Sequence, residues 1–192
     1  MKLKYLLLIL CLAPFVLQAQ HSFGVKAGYN HSTSRLSNSP YSITSYNPIS
    51  RIHAGFFLHS KLANNIKLKS ELLYTMKGSS SPTNTDTRYV FKINEISIPL
   101  IVSYQISKFS VGLGHEFGLK VNGRDLDKNI DLSFLGDLSI ELSQSLSLGV
   151  RYNYGYTGLI DVTIIDINGE VSKGKYFTRT TQLGLAYKFG TL

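Results

Sequence analysis

Between Thr180 and Phe189 the chain alternates with period two, and the two faces differ in kind. Leu183, Leu185, Tyr187 and Phe189 fall on one side, and Gln182, Gly184, Ala186 and Lys188 on the other. The first face is wholly apolar and ends in two aromatic rings. The second is small or polar and carries a charge that a sandwich core does not hold. A strand that is apolar outside, polar inside and aromatic at its end suits the wall of a barrel in a lipid bilayer. Half-buried strands of soluble proteins alternate in the same way, so repetition decides.

Seven earlier segments repeat the pattern. Around 23–30, Phe23, Val25, Ala27 and Tyr29 oppose Gly24, Lys26, Gly28 and Asn30. Around 51–61, Ile52, Ala54, Phe56 and Leu58 oppose Arg51, His53, Gly55, Phe57 and His59. Around 66–77, Ile66, Leu68, Leu72, Tyr74 and Met76 oppose Lys67, Lys69, Glu71, Thr75 and Lys77. The segment 89–104 is longer and changes phase near Glu95, which predicts a bulge. Pro99 within it has no N–H for a ladder, so pairing there is expected to be irregular. Segments 109–121, 132–142 and 146–156 follow, each with one apolar face.

The connections alternate in length. Polar loops at 32–50, 78–88, 122–131 and 158–175 alternate with tight turns near 62–65, 105–108 and 143–145. This predicts an all-β fold, an eight-stranded antiparallel up-and-down transmembrane β-barrel with both chain ends on the side of the short turns. At ~3.3 Å per residue and ~45° tilt, ten residues rise about 23 Å, close to the apolar band such barrels need. With alternate strands running up and down, Tyr29, Tyr74, Phe134, Tyr152 and Tyr154 fall near the outer rim. Phe23, Tyr104, Phe109, Tyr187 and Phe189 fall near the inner rim, so two aromatic girdles are expected.

Residues 1–19 read as a cleaved secretory signal, with Lys2 and Lys4 before a short apolar run and Ala19 before the cut. Pro14 breaks the run, which is too short for an anchor. The barrel domain then takes residues 20–192. Cys11, the single cysteine, lies in the signal, so no disulfide is expected in the mature chain. Mean hydropathy is close to zero, unlike that of a helical membrane protein. Twelve Tyr, ten Phe and sixteen Gly favour strands and turns. Loss of Lys2 and Lys4 lowers the formal net charge from +8 to +6. An exported protein does not meet nucleic acid, so this excess is assigned to the rims and the lumen. Lipopolysaccharide is a polyanion it suits outside the cell.

Four stretches then stand together: Phe23-Gly24-Val25-Lys26-Ala27-Gly28-Tyr29-Asn30, Asn94-Glu95-Ile96-Ser97-Ile98-Pro99-Leu100, Arg151-Tyr152-Asn153-Tyr154-Gly155, and Ala186-Tyr187-Lys188-Phe189-Gly190. In order and spacing they resemble the outer-membrane β-barrel domain proteins of Bacteroidetes, of the porin-family or PorT-like kind. The resemblance spans about Gln20 to Leu192. It implies an eight-stranded barrel in outer-membrane lipid, inserted by the barrel-assembly machinery, and no particular activity. The chain departs from the pattern by continuing through Gly190, Thr191 and Leu192, so Phe189 is not terminal.

No nucleotide, zinc or catalytic-triad spacing is present, and no cofactor, metal or catalytic residue is expected. His53 and His59 share an inward face but stand about 20 Å apart along a strand, too far for one ion. His115 faces outward on the fifth strand without a serine and an acid beside it. The inward residues Lys67, Lys69, Glu71, Glu116, Lys120, Asp137, Glu141, Arg151 and Lys188, joined by Glu95, form the expected lumen charge cluster. Side chains fill the interior of eight strands, so a plug of paired charges is favoured over an ion path. The expected function is a non-enzymatic barrel with a structural or surface-binding role. The long loops, rich in Ser, Asn, Thr and Tyr, would offer a surface to an extracellular ligand. A narrow channel, a lipid-modifying enzyme and a soluble lipocalin-like carrier stand as alternatives.

Overall fold

The computed structural model describes residues 20–37, 46–80, 90–122, 129–158, 161–165 and 171–191; the expected signal at 1–19 lies outside them. The strands are β1 (His21–Leu36), β2 (Asn47–Lys61), β3 (Ile66–Ser80), β4 (Val90–Ile106), β5 (Phe109–Asn122), β6 (Ile130–Glu141), β7 (Leu146–Gly155), β8 (Asp161–Ile165) and β9 (Val171–Thr191). Each strand from β1 to β6 pairs antiparallel with the next, and β9 pairs with β7 on one side and β1 on the other. Eight strands, β1 to β7 and β9, therefore close an antiparallel barrel. The seam runs from Ser22 opposite Thr191 to Leu36 opposite Tyr176. Near its lower end Phe23 faces Gly190 and Gly24 faces Lys188, which leaves Phe189 as the extra residue of a bulge.

The short turns are built as their residues suggest. At 62–65, the Leu62 N–H donates to the Ile66 carbonyl at 2.9 Å. Between β4 and β5 only Ser107 and Lys108 intervene, and Ser107 takes a left-handed φ of 56° to reverse the chain. Leu142 N–H closes the third turn onto Leu146 at 2.9 Å.

The faces follow the alternation. Tyr29, Phe56, Leu72, Leu113, Leu138 and Leu183 point away from the barrel and are exposed, while Asn30, Glu71, Thr75, Glu116, Arg151 and Gln182 are buried within it. A polar interior and an apolar exterior reverse the arrangement of a soluble lipid carrier. Among the inward positions, Phe57, Leu73, Ile93, Ile101 and Leu135 are buried and apolar, a minority packed between charges.

Three expectations are corrected. β4 does not change phase at Glu95: Ile93, Glu95, Ser97, Ile101 and Ser103 all face inward in unbroken alternation. The apolar inward Ile93 gave the false impression of a slip. A bulge does occur at this level, but on the neighbour: Asn94 faces Asn122 and Glu95 faces Lys120, so Val121 of β5 is the extra residue. The connection expected over 158–175 instead holds β8 and the first residues of β9, paired from Asp161–Lys175 to Ile165–Val171. The expected loop at 32–50 is likewise shortened, because β1 continues to Leu36 and β2 begins at Asn47. Pro99 behaves as its chemistry requires. The β3–β4 ladder has partners at Ser70–Leu100 and Leu73–Ser97, and the two positions between, Pro99 included, are unpaired on that side.

The faces make a direct test. Leu183 lies six residues along β9 from Phe189, near mid-height of the apolar band, and points outward. Leu183→Arg should cost about 2–4 kcal/mol of folding free energy in liposomes, read by denaturant titration. Gly149→Ser should change little, because a Cβ on inward Gly149 meets nothing nearer than 3.5 Å. Equal tolerance of both would contradict the register of β9.

Candidate functional site

The lumen is the chemically dense part of the molecule, and all eight wall strands furnish it. Its centre is Arg151 of β7. The guanidinium grips Glu71 of β3 in a two-pronged contact, Nη1 to Oε2 at 2.8 Å and Nη2 to Oε1 at 2.7 Å. Its Nε donates to Asp137 Oδ1 at 3.1 Å. The planar fork matches a carboxylate, which makes this the strongest type of side-chain pair. Lys69 donates to the other oxygen of Asp137 at 2.9 Å and to Ser139 at 3.0 Å. Lys26 of β1 approaches Glu71 at 3.1 Å.

A second network sits nearer the extracellular end. Lys77 Nζ lies 2.5 Å from Glu95, 2.8 Å from Glu116 and 3.8 Å from Asp131. Asn153 donates to Glu116 at 2.8 Å, and Thr178 donates to Asp131 at 3.2 Å. Between the networks His53 bonds through Nδ1 to Asn30 at 2.7 Å, and Asn30 donates to the carbonyls of Ile52 and Met76. The lower network has three bases around two acids, and the upper has three acids around one base. The single positive surplus of the lower network offsets half of the double negative surplus of the upper one.

Glycine makes the space. A Cβ on Gly118 would fall 2.8 Å from a Glu95 carboxylate oxygen, and one on Gly184 would fall 3.0 Å from His53 Nε2. Bulky polar side chains thus lie against bare backbone one or two strands away along the wall. This is how charged groups fit inside a barrel whose bore is one side chain wide.

The expected cluster is distributed over three levels. Lys69, Glu71, Asp137 and Arg151 form the lower network, and Glu116 joins the upper one. Lys120 stands opposite Glu95 in the β4–β5 register. Lys67 and Glu141 pair at 3.4 Å at the periplasmic mouth, where both are partly exposed, and Lys188 lines the same mouth. Alternation put Lys26 and Lys77 on inward faces but outside the expected cluster. It also left Asp131 in a loop. These residues turn out to be three of its members.

The ten girdle aromatics all lie on the outer face and are exposed. Phe23, Tyr187 and Phe189 cluster at the seam, with ring centroids 5.9 Å and 5.8 Å apart. Near the other rim Phe134 packs against His115 at 4.3 Å and against Tyr156 at 5.1 Å. Across the strands His115 faces Leu100 and Phe134, an apolar setting. His59 stacks on Phe57 at 4.3 Å, away from His53. Among the described residues no set of His, Cys, Asp and Glu side chains is arranged to hold a metal ion.

The sequence profile of the family described as "Outer membrane protein beta-barrel domain" matches residues 18–163, most of the chain. This chain belongs to that family. The outer-membrane barrel also shares its fold with solved structures. Neisserial surface protein A aligns with a TM-score of 0.55 at 18% identity, over 87% of this chain and 97% of that one. Ail, the attachment invasion locus protein of Yersinia pestis, aligns with a TM-score of 0.52 at 11% identity, over 89% and 99%. At such identities the likeness concerns the fold alone. No curated protein matches the sequence of this outer-membrane barrel.

The lower network gives a stability test. Arg151→Met would leave Glu71 and Asp137 without their main partner and should cost about 3–5 kcal/mol in denaturant titrations. Adding Glu71→Gln in the same chain should recover part of that loss, since it removes the stranded charge. No recovery would mean that Arg151 acts through packing rather than charge.

Proposed function

We propose that this outer-membrane barrel is a surface-exposed binding or structural protein with a plugged lumen, and not an enzyme or a diffusion pore. The observation that carries this reading is the contrast between a closed interior and a built-up outer end. An ion pair bridges the bore from β3 to β7 at one level, and at another Lys77 of β3 links to β4 and β5 along one side of the wall. Above the aromatic rim the wall continues: β1 runs on to Leu36, β3 to Ser80, and β9 begins at Val171 with β8 against it. Tyr46 and Tyr176 join hydroxyls across this extension, and their rings meet edge to face at 5.3 Å. Such a raised sheet offers an ordered platform to an extracellular ligand. The two aligned proteins, a surface protein and an attachment invasion locus protein, are consistent with such a role on this fold.

The finer assignments belong to the same proposal. The chain is of the porin-family, PorT-like kind of Bacteroidetes, is exported by a signal at 1–19 and is inserted by the barrel-assembly machinery. Its outer girdle and basic excess meet lipopolysaccharide, and nucleic acid is not a partner.

Location is tested first. The mature protein should fractionate with outer membranes, resist carbonate extraction and migrate faster on a gel when unheated. A tag inserted between residues 38 and 45 should be reached by antibody on intact cells. Recovery as a soluble periplasmic protein, or a tag shielded until the outer membrane is opened, would refute the proposal.

Conductance tests the plug. In planar bilayers the purified wild-type barrel should pass little or no current. Large, steady single-channel currents from the monomer would favour a channel instead.

A further inference from the structure

The ion-pair plug stops short of the periplasmic mouth. Beneath it, strand ends and short turns enclose an open cup of about 470 Å³, with Lys61, Lys67 and Lys188 in its wall and His59 at its floor. His59 and Lys67 also line a smaller space of about 60 Å³ that reaches Lys69, Glu71 and Asp137. Together they form a blind recess, open to the periplasm and closed above by the Arg151 network.

The recess is basic and under-neutralised. Lys61 and Lys67 stand directly opposite each other across the β2–β3 hairpin, a placement in which like charges repel. Lys67 has Glu141 at 3.4 Å, but both side chains are partly exposed and water screens the contact. Among the described residues neither Lys61 nor Lys188 has a carboxylate within ion-pair distance. At the floor, His59 Nε2 is buried without a hydrogen-bond partner.

We propose that this recess binds a small phosphate-bearing anion. Lys61, Lys67 and Lys188 would take the charge, and His59 would meet the deepest part of the ligand. Lysine is a compact point charge that binds phosphate, and three of them line the cup, enough to meet the double charge of a phosphate monoester. The volume equals that of about fifteen waters at ~30 Å³ each, enough for a sugar phosphate rather than a bare ion. A lipid headgroup offers the same phosphate chemistry. The three lysines, however, line the inside of the mouth while the apolar face meets lipid, which favours a soluble ligand.

The experiment is an NMR titration of the full barrel in maltoside micelles with glucose 6-phosphate, with glucose as the uncharged comparison. A parallel arm uses nanodiscs with and without phosphatidylglycerol. Saturable shifts at the mouth are expected with glucose 6-phosphate and not with glucose. The double variant Lys61→Gln, Lys188→Gln should weaken binding at least 10-fold. Lys108→Gln, in the next turn but outside the cup, should bind as the wild type does. Heat-dependent gel mobility shows that each variant is folded. Absence of saturable binding, or equal weakening by Lys108→Gln, would overturn the proposal. A response to phosphatidylglycerol alone would overturn the soluble assignment and make the cup a headgroup site. Loss of binding with an intact heat shift leaves the surface-barrel proposal standing.

Discussion

The hydrocarbon layer offers no hydrogen-bond partner to a peptide group, and that constraint dictates the molecule. Every N–H and C=O within it must be satisfied by another strand, so the sheet has to close on itself. Here β9 performs the closure, pairing with β1 from Tyr176 to Thr191 and with β7 from Arg179 to Tyr187. Closure in turn fixes the two faces, because every side chain then points either to lipid or to the lumen. The outward face needs only to be apolar, with rings at the rims. The inward face carries all the chemical variety the chain has.

A bore of eight strands is about one side chain wide and too narrow for careless packing. The chain fills it with charges in complementary halves, each bridging walls that lie far apart in sequence. Burying so many ions is costly unless every one is paired and hydrogen-bonded. The two-pronged Arg151–Glu71 contact and the Lys77–Glu116 pair meet that requirement, whereas Glu95 is paired with Lys77 but neither of its oxygens has a hydrogen-bond partner among the described residues. Inward glycines on the facing strands make the depth available. The mouth on the side of the short turns stays open: β7 begins at Leu146, five residues below Arg151, and Lys61 is left exposed there.

Most of the architecture was legible in the sequence because lipid and lumen impose opposite demands on alternate residues. Leu183 and Gln182 could be assigned to faces from their neighbours alone. Where the inward face was itself apolar the signal failed, as at Ile93, whose burial in the lumen imitated a change of phase. Above the bilayer both faces of a strand meet water, so alternation vanishes, and the pairing of β8 with β9 left no trace. Within the site, alternation shows the face of a residue but not its height. Glu71, Arg151 and Asp137 were assigned to one cluster, yet nothing in the sequence separated them from Glu141 at the mouth. Asp131 was hidden by its position at the end of a polar stretch, one residue into β6.

The reach of the plug across the chain has a kinetic side. Glu71 and Arg151 are 80 residues apart, and Lys26 is 45 residues from Glu71. In a sheet that has not yet curled, Glu71 cannot meet Arg151, although Arg151 keeps Asp137 directly across the β6–β7 ladder. Insertion and closure must therefore advance together, with the last strand docking against the first as the charges come into contact. A barrel closed with a slipped seam would hold Glu71 away from Arg151 and leave a buried charge without its main partner.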